Sequence, residues 1–360
     1  MKKFFFIAAM VSAALISCTK NEPAPSMEAQ QEITFMTAPV TKADPSFKTE
    51  NQFVSYAYLL TGTTDPMTGT TDLTPWEGNQ DKSKPYIEGK LIKHYSTAPA
   101  KWAPASGVYY WPKDQYSQLT FFAWADGTTD PTAAGTQATC SKSTGVQFTD
   151  YDITATNNVN RDIMVAKIAA DQKKNTTSNG GSWEKGVPTV FQHILSSFDT
   201  KIKLDDKNNY DDVKFVLKSI DLLNVKTKNT YTQGVTATLE PKASGWGTPS
   251  GPKELAIFSG NMTVDKTTAQ DIVETGYKIL MPQEFTADTE QIKIVYEVTT
   301  NYAGAEVTEI VTVVKDLDAI YTTNWVAGSA YTLTITLGLD QILWDPAVEK
   351  WELVEGSWAI

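Results

Sequence analysis

Histidine and cysteine are scarce in this chain, two of each among 360 residues, and that scarcity closes off much of the chemistry a protein of this length could perform. His94 and His193 lie 99 positions apart (193 − 94). A Ser/His/Asp site would have to be assembled from distant parts of the chain. A zinc centre needs three or four His, Cys or carboxylate ligands at close spacing, and no such cluster is written here. His193 sits in a strand-like run and reads as a core histidine whose ring is hydrogen-bonded to a neighbour. Neither GxxxxGK[ST] nor GxGxxG is present, which removes the common phosphate cradles. The acidic run Asp205 to Asp212 invites a calcium reading. Counted from Asp206, however, the sixth and twelfth positions of an EF-hand loop hold Asp211 and Leu217 instead of Gly and Glu, so a solvated turn fits better. No internal repeat is detectable. The expectation is a protein that is not an enzyme and needs neither cofactor nor metal.

Positive charge is also in short supply. Lys and Arg total 31 against 42 Asp and Glu, a formal net charge of −11. Such a balance argues against binding nucleic acid through its phosphates. Long hydrophobic runs are missing apart from one, Phe4 to Ile16, which follows Lys2 and Lys3 and is too short to span a bilayer stably. Its position and flanks are those of an export signal. The four residues closing it, Leu15-Ile16-Ser17-Cys18, resemble a bacterial lipobox, in which Cys18 is lipidated and becomes the first residue of the mature chain. Each buried acyl methylene contributes about 0.8 kcal/mol, so several chains on one cysteine hold a protein to a membrane without a spanning helix. With Cys18 acylated, Cys140 has no partner for an internal disulfide, and it reads as a buried or loop thiol. Removing residues 1–17 takes Lys2 and Lys3 with it and moves the net charge from −11 to −13.

What the chain does have is aromatic residues, 11% with ten Trp, and a period-2 alternation repeated along its length. Residues 18–31, with Pro23 and Pro25, read as an extended tether. Ile33 and Phe35 then share one face of a first strand that stops near Pro39, and Thr41-Lys42-Ala43-Asp44-Pro45 is a turn-prone break. Phe53 to Leu60 alternates on both faces and reads as a strand buried on both. A polar loop from Thr61 to Lys84 carries Trp76. Tyr109-Tyr110-Trp111-Pro112 and Leu119 to Ala125 form the most aromatic region. Asp162 to Ala166 is a short buried strand, and the Gly/Ser/Asn/Lys stretch from Ala170 to Lys185 reads as a linker. From Val187 to Leu204 the apolar parity changes partway, which a bulge near Ser196-Ser197 would reconcile. Alternating runs follow around Phe215, Val235 to Leu239, Ile279, Ile294, Ile310 to Val314, and Tyr331 to Leu337. Val348 to Glu355 closes the series with Trp351 and Leu353 on one face. No segment of helical length holds a 3.6 period. The fold class is therefore all-β, divided as signal peptide (1–17), tether (18–31), an N-terminal β-sandwich (32–186) and a C-terminal β-sandwich (187–360).

The lipobox, Ile33-Thr34-Phe35 leading to Thr41-Lys42-Ala43, Tyr110-Trp111-Pro112 before the aromatic strand, and Phe191 to Leu195 around His193 occur in one characteristic order. Leu280-Met281-Pro282-Gln283, and Trp325-Val326-Ala327-Gly328 before Tyr331 to Leu337, continue it. Together they resemble the fimbrillin family, the lipoprotein-derived pilins of Bacteroidales, over nearly the whole mature chain. The resemblance implies two transthyretin-like β-sandwiches in tandem. It implies a structural and adhesive pilus subunit, exported as a lipoprotein to the outer membrane and cell surface. It also implies cleavage by a trypsin-like protease after a basic residue beyond the first strand, here between Lys42 and Ala43; the family more often has Arg at that place. Loss of the strand bearing Ile33 and Phe35 would open a groove, and a partner subunit would refill it by strand addition. The candidate donor is the C-terminal segment with Val348, Trp351 and Leu353. Expected partners are other pilus subunits, outer-membrane lipid through Cys18, the processing protease, and a host glycan or protein as the adhesion target. Alternative roles are an anchor or tip subunit, or a surface lipoprotein that binds glycans on Trp76, Trp183 and Trp246, three residues that could equally pack against their own loops.

Overall fold

The computed structural model describes residues 30–37, 49–96, 101–133, 138–174, 186–207, 210–243, 245–273, 276–302, 304–338 and 343–350. The alternating runs become strands. The first group is β1 (Phe35–Thr37), β2 (Phe53–Thr61), the short β3 (Thr63–Thr64) and β4 (Thr71–Asp72), β5 (Lys84–Tyr95), β6 (Lys101–Pro104) and β7 (Ser117–Ala125). Then come β8 (Ala138–Ser141), β9 (Gly145–Asp152), β10 (Met164–Ala166), β11 (Ala169–Gln172), β12 (Val187–Thr189) and β13 (Phe191–His193). The last group is β14 (Ser196–Leu204), β15 (Val213–Thr232), β16 (Ser250–Val264), β17 (Gln270–Asp271), β18 (Ile279–Leu280), β19 (Gln291–Tyr302), β20 (Ala305–Asp316), the one-turn helix α1 (Leu317–Ile320), β21 (Ser329–Leu337) and β22 (Leu343–Lys350). The all-β expectation holds.

One sheet runs β12-β1-β6-β5-β2-β7-β10-β13, with β11 also on β7. It is rolled. Phe35 on β1 and Phe121 on β7 are four strand steps apart in that order, roughly 19 Å in a flat sheet at about 4.8 Å per step, yet their rings lie 5.8 Å apart. Phe53 on β2 receives Phe35 from one end of the sheet at 5.6 Å and Phe191 from the other at 5.4 Å. The inside of the roll is one hydrophobic cluster holding Ile33, Phe35, Phe53, Trp102, Trp111, Leu119 and Phe121. The outside of its central strands is buried too. On β7 every residue is buried: Leu119, Phe121 and Ala123 face into the roll, and Phe122 and Trp124 face a second cluster. The expectation for residues 53–60 is met in the same way, with Phe53 and Ala57 inside and Val54, Tyr58 and Leu60 outside.

That second cluster fills the other half of the molecule, between a sheet ordered β17-β14-β21-β22 and one built on β15. Phe198, Ile202, Leu204, Tyr331, Leu333, Ile335 and Leu337 on the first meet Phe215, Leu217, Ile220, Leu222, Ile292 and Ile294 on the second. β15 is 20 residues long. It pairs with β16 on one side, and with β19 and then β9 on the other.

Strands on both sides of residue 187 share sheets, in both directions. β12 and β13 join the rolled sheet through β1 and β10, and β8 and β9 join the β15 sheet. The parity change after Phe191 is not a bulge at Ser196-Ser197. β13 stops at His193, and β14 starts at Ser196 in a different sheet. Ile194 and Leu195, between them, are both fully buried as the chain crosses. Residues 235–239 are not a strand either. The Val235 carbonyl accepts the Trp76 indole N–H at 2.6 Å, and the Ala237 amide donates to Glu77 Oε1 at 2.6 Å. Those partners lie in the 61–84 loop, so the segment is held as a turn rather than by a neighbouring strand.

Candidate functional site

The first strand sits inside its sheet, with a neighbour on each side. β1 pairs in parallel with β12, Phe35 opposite Val187 and Thr37 opposite Thr189, and antiparallel with β6, Phe35 opposite Trp102. The residues before it are bonded as well. The Ile33 amide donates to Tyr109 O at 2.8 Å, and Gln31 O accepts the Trp111 amide at 2.9 Å. Lys101 Nζ reaches Glu32 Oε2 at 2.6 Å. Ile33 and Phe35 are buried to 0% and 2% exposure. Phe35 fills the middle of the roll, edge-on to Phe53 and Phe121. Burying two such side chains contributes roughly 1.5–3 kcal/mol each.

The seat of this strand depends on one glycine. Val187 donates to Thr34 O at 2.7 Å, and Gly186 just before it has a φ of +98°. A Cβ at Gly186 would stand 2.7 Å from the Thr34 carbonyl atoms. No other residue type fits both the backbone angle and the gap. Pro188 follows on β12, the outer strand of the sheet. A residue without an N–H is tolerated on an edge and discourages further pairing there.

Sequence order adds the decisive constraint. Lys42 and Ala43 lie between the end of β1 and the start of β2 and fall outside the described residues. Among the described residues, β1 is the only strand on the N-terminal side of Lys42. A cut there would sever β1 alone and leave it held by hydrogen bonds and packing. Cys18, Trp351, Leu353 and Trp183 also fall outside the described residues. Val348 lies on β22, whose backbone pairs antiparallel with β21 from Thr336 opposite Leu343 to Ser329 opposite Lys350, with Val348 opposite Tyr331. The chain thus has its first strand seated and its C-terminal strand paired with its own sheet.

The other sequence candidates are absorbed into packing. Trp76 is fully buried, its ring against Tyr58 and Phe122 and its amide donating to Asp171 Oδ1 at 2.8 Å. It cannot be a glycan platform. Trp246 is half-buried and rests on Tyr231 at 5.3 Å, its indole N–H donating to Ile194 O. It lines a cleft of about 690 Å³ with Pro249, Pro282, Asn324 and Val326. His193 is buried, with Nδ1 2.8 Å from Asp162 Oδ2, and the His94 ring lies tilted against Trp102 at 5.2 Å. Both histidines belong to strands of the rolled sheet, where β2, β7 and β10 stand between them. Among the described residues no three His, Cys, Asp or Glu side chains converge to hold a metal. Cys140, on β8, is partly buried, and burial pushes its thiol up to about 12. In the acidic run, Tyr210 donates its hydroxyl to Asp205 Oδ1 at 2.5 Å and the Lys207 amide donates to the same oxygen at 3.2 Å, which closes a turn. Sequence reasoning missed that Trp76 is a core residue, and the signal available, a lone aromatic in a polar loop, fits either fate.

Comparison with known proteins agrees with this architecture. A family model described as fimbrillin-like matches residues 41–351. A fimbrial protein from Bacteroides vulgatus has a similar fold, with a TM-score of 0.66 at 16% identity, over 89% of this chain and 100% of that one. A candidate cell adhesion protein from Bacteroides uniformis aligns over 91% of this chain and 99% of that one, with a TM-score of 0.50 and 18% identity. No curated protein sequence matches significantly.

Proposed function

The chain belongs to the fimbrillin-like family, and from that membership we propose that it is a structural, non-enzymatic subunit of a cell-surface fimbria, made as a lipoprotein precursor and assembled by protease-triggered strand exchange. The observation that carries this reading is the seat of β1. It lies between β12 and β6, buries Ile33 and Phe35, and is followed in sequence by the Lys42-Ala43 cut position. Removing it would leave unpaired backbone on β12 and β6 and an apolar slot beside Phe53 and Phe121. A vacancy of that kind takes up an extended segment: main-chain hydrogen bonds supply affinity and side-chain pockets set register.

In this reading Cys18 and its acyl chains hold the precursor at the outer membrane. Cleavage after Lys42 then frees the subunit and makes β1 exchangeable in one step. The incoming strand is the C-terminal segment of another subunit, from Val348 through Trp351 and Leu353. In the single chain the backbone of β22 is taken up by β21, so donation competes with self-pairing, which favours exchange only once an emptied groove is on offer. The two tandem sandwiches are transthyretin-like, and the adhesion target is a host protein or glycan.

The test is direct. Trypsin treatment of the purified protein followed by N-terminal sequencing should give a new end at Ala43, with heat-labile ladders on a denaturing gel. Deleting residues 346–360 should abolish the ladders and leave a folded, exported protein. Ladders that persist after the deletion would sink the donor assignment. A protein that forms no ladder at any protease dose would instead be an anchor subunit or a surface receptor.

A further inference from the structure

A different strand offers an open edge among the described residues. Sheet edges are sites of unwanted pairing, and proteins blunt them with short strands, proline, bulges or covering segments. Most edges here are blunted so. β12 carries Pro188 and β22 carries Pro346. β8, β13 and β17 have four, three and two residues. β16 carries Pro252 and shifts register repeatedly against β15. Its outer side is partly covered where the Gly276 and Tyr277 amides donate to Ile257 O and Ala256 O.

β20 carries charges, Glu306, Glu309 and Lys315, which are themselves a way of blunting an edge, but among the described residues it has no proline, bulge or covering segment. It is 12 residues long and pairs with β19 without a register shift, from Gln291 opposite Asp316 to Tyr302 opposite Ala305. Among the described residues β19 is its only strand partner. Its sequence from Val307 to Val314 is Val, Thr, Glu and Ile, without Pro or Gly. Val307, Ile310 and Val314 are 56%, 66% and 46% exposed, whereas Val311 and Val313 pack inward. Every other residue of such an edge turns its N–H and C=O away from β19.

The chemistry of this edge is self-complementary. Two copies related by a two-fold axis perpendicular to the sheet must place residues of the same parity opposite one another, because the faces are preserved. Centring the pair on Thr312 sets Ile310 of one copy opposite Val314 of the other, and Val311 opposite Val313. The same register sets Glu309 opposite Lys315. Each of these occurs twice by symmetry, so apolar residues meet apolar ones and the charges meet their opposites. Moving the centre to Val311 sets Glu306 against Asp316 and Lys315 against Val307. Moving it to Val313 sets Ile310 against Asp316 and Lys315 against Val311.

We propose that β20 is a homodimerisation edge, pairing antiparallel with β20 of a second copy of this chain in the register centred on Thr312, so that the two β15 sheets become one continuous sheet. This surface lies away from the seat of β1 and does not depend on strand exchange. It gives subunits a lateral contact in addition to any end-to-end one.

The full-length uncut chain in mild detergent, with Cys140→Ser as background, is the material for the test. Light scattering during size-exclusion chromatography should show a concentration-dependent dimer. Ile310→Lys should weaken it at least ten-fold with an unchanged circular dichroism spectrum and, at a concentration where both proteins are monomeric, an unchanged melting temperature, because the side chain is exposed. Glu309→Lys or Lys315→Glu alone should weaken it, and the double swap should restore it. Thr312→Cys should form an intermolecular disulfide on mild oxidation, since directly opposed residues in an antiparallel pair have Cα atoms roughly 4.5–5.5 Å apart. Thr308→Cys should not. A wild-type monomer at all concentrations, a dimer indifferent to Ile310→Lys, or equal crosslinking at positions 308 and 312 overturns the proposal.

Discussion

The rolled sheet around β1 and the open sheet built on β15 bury apolar strands in opposite ways. In the first, the ends of the sheet curl until Phe35 and Phe191 both rest on Phe53, and the outermost strand ends in a short, proline-bearing edge. In the second, only the inner face is covered and β20 lies along one side with its outer face in water. On the reading proposed above, binding capacity is latent in one and overt in the other. The rolled sheet would accept a strand only after losing one, whereas the open sheet would accept one as it stands. A protease would then have something to switch in the first sheet and nothing in the second.

The largest expected effect that sharpens this contrast is at the centre of the roll and at its outer plug. Phe35→Ala and Trp76→Ala should each cost about 3–5 kcal/mol in chemical denaturation, since each removes a fully buried aromatic. Phe35→Ala should also speed loss of β1 after cleavage at Lys42, measured by release of the N-terminal fragment. Next in size is Gly186→Ala. The added Cβ meets the Thr34 carbonyl, and the positive φ disfavours it, so a loss of about 1–3 kcal/mol is expected. Hydrogen exchange should show that loss concentrated at β1 and β12; an even loss over the molecule would break the assignment of Gly186 as the seat of β1. In the open sheet, Ile310→Lys should change stability by no more than about 0.5 kcal/mol, as for an ordinary surface substitution. A cost comparable to Phe35→Ala, measured where the protein is monomeric, would mean that Ile310 is buried within its own chain.

The smallest effect concerns the seam between the sheets. Cys140 packs against the cluster outside the roll, and Tyr58 donates its hydroxyl to the Cys140 carbonyl at 3.0 Å. With burial pushing the thiol up to about 12, little thiolate is present at pH 8, so alkylation should be far slower than in the denatured chain. Raising the pH should speed it throughout the range up to 12, where an ordinary thiol would level off above about 8.5. The linkage has the same sign. The folded state holds its proton more tightly than the unfolded one, so this group's contribution to stability is full below about pH 8.5 and is lost as pH climbs toward 12. Cleavage at Lys42 should leave the labelling slow, because β1 lines the inside of the roll and Cys140 faces the other cluster. Fast labelling after cleavage would mean that loss of β1 loosens the whole molecule.

Much of the fold was legible because strand burial leaves a period of two. Tyr331 to Leu337 alternates cleanly and is a strand with Tyr331, Leu333, Ile335 and Leu337 inward. The run from Leu119 to Ala125 is apolar on both parities and is buried on both faces. Where both parities are apolar on a one-sided strand, the pattern cannot say which face is inside. Ile310 and Val314 look as core-like as Val311 and Val313, yet point to water. A crossing between sheets looks like a bulge, because both change parity, and that hid the real step at Ile194-Leu195. Of the candidate site, Ile33 and Phe35 were readable as an alternating pair. Their seat was not, since Gly186 and Val187 lie some 150 positions away (187 − 35 = 152) and nothing local marks them as neighbours.

The amino-acid sequence by itself determined the all-β class, the scarcity of His and Cys, and the position of Lys42 between two strands, and it carries the lipobox-like pattern at Cys18 on which the proposed anchoring rests. These rest on composition, local periodicity and order along the chain, which are properties of the sequence before it folds. Only the tertiary structure decided that the first strand lies between β12 and β6, that Trp76 is core, and that among the described residues β20 pairs on one side only. Those outcomes depend on which distant segments meet, and strand pairing is selected by the fit of whole faces and edges, a global property that no single segment encodes.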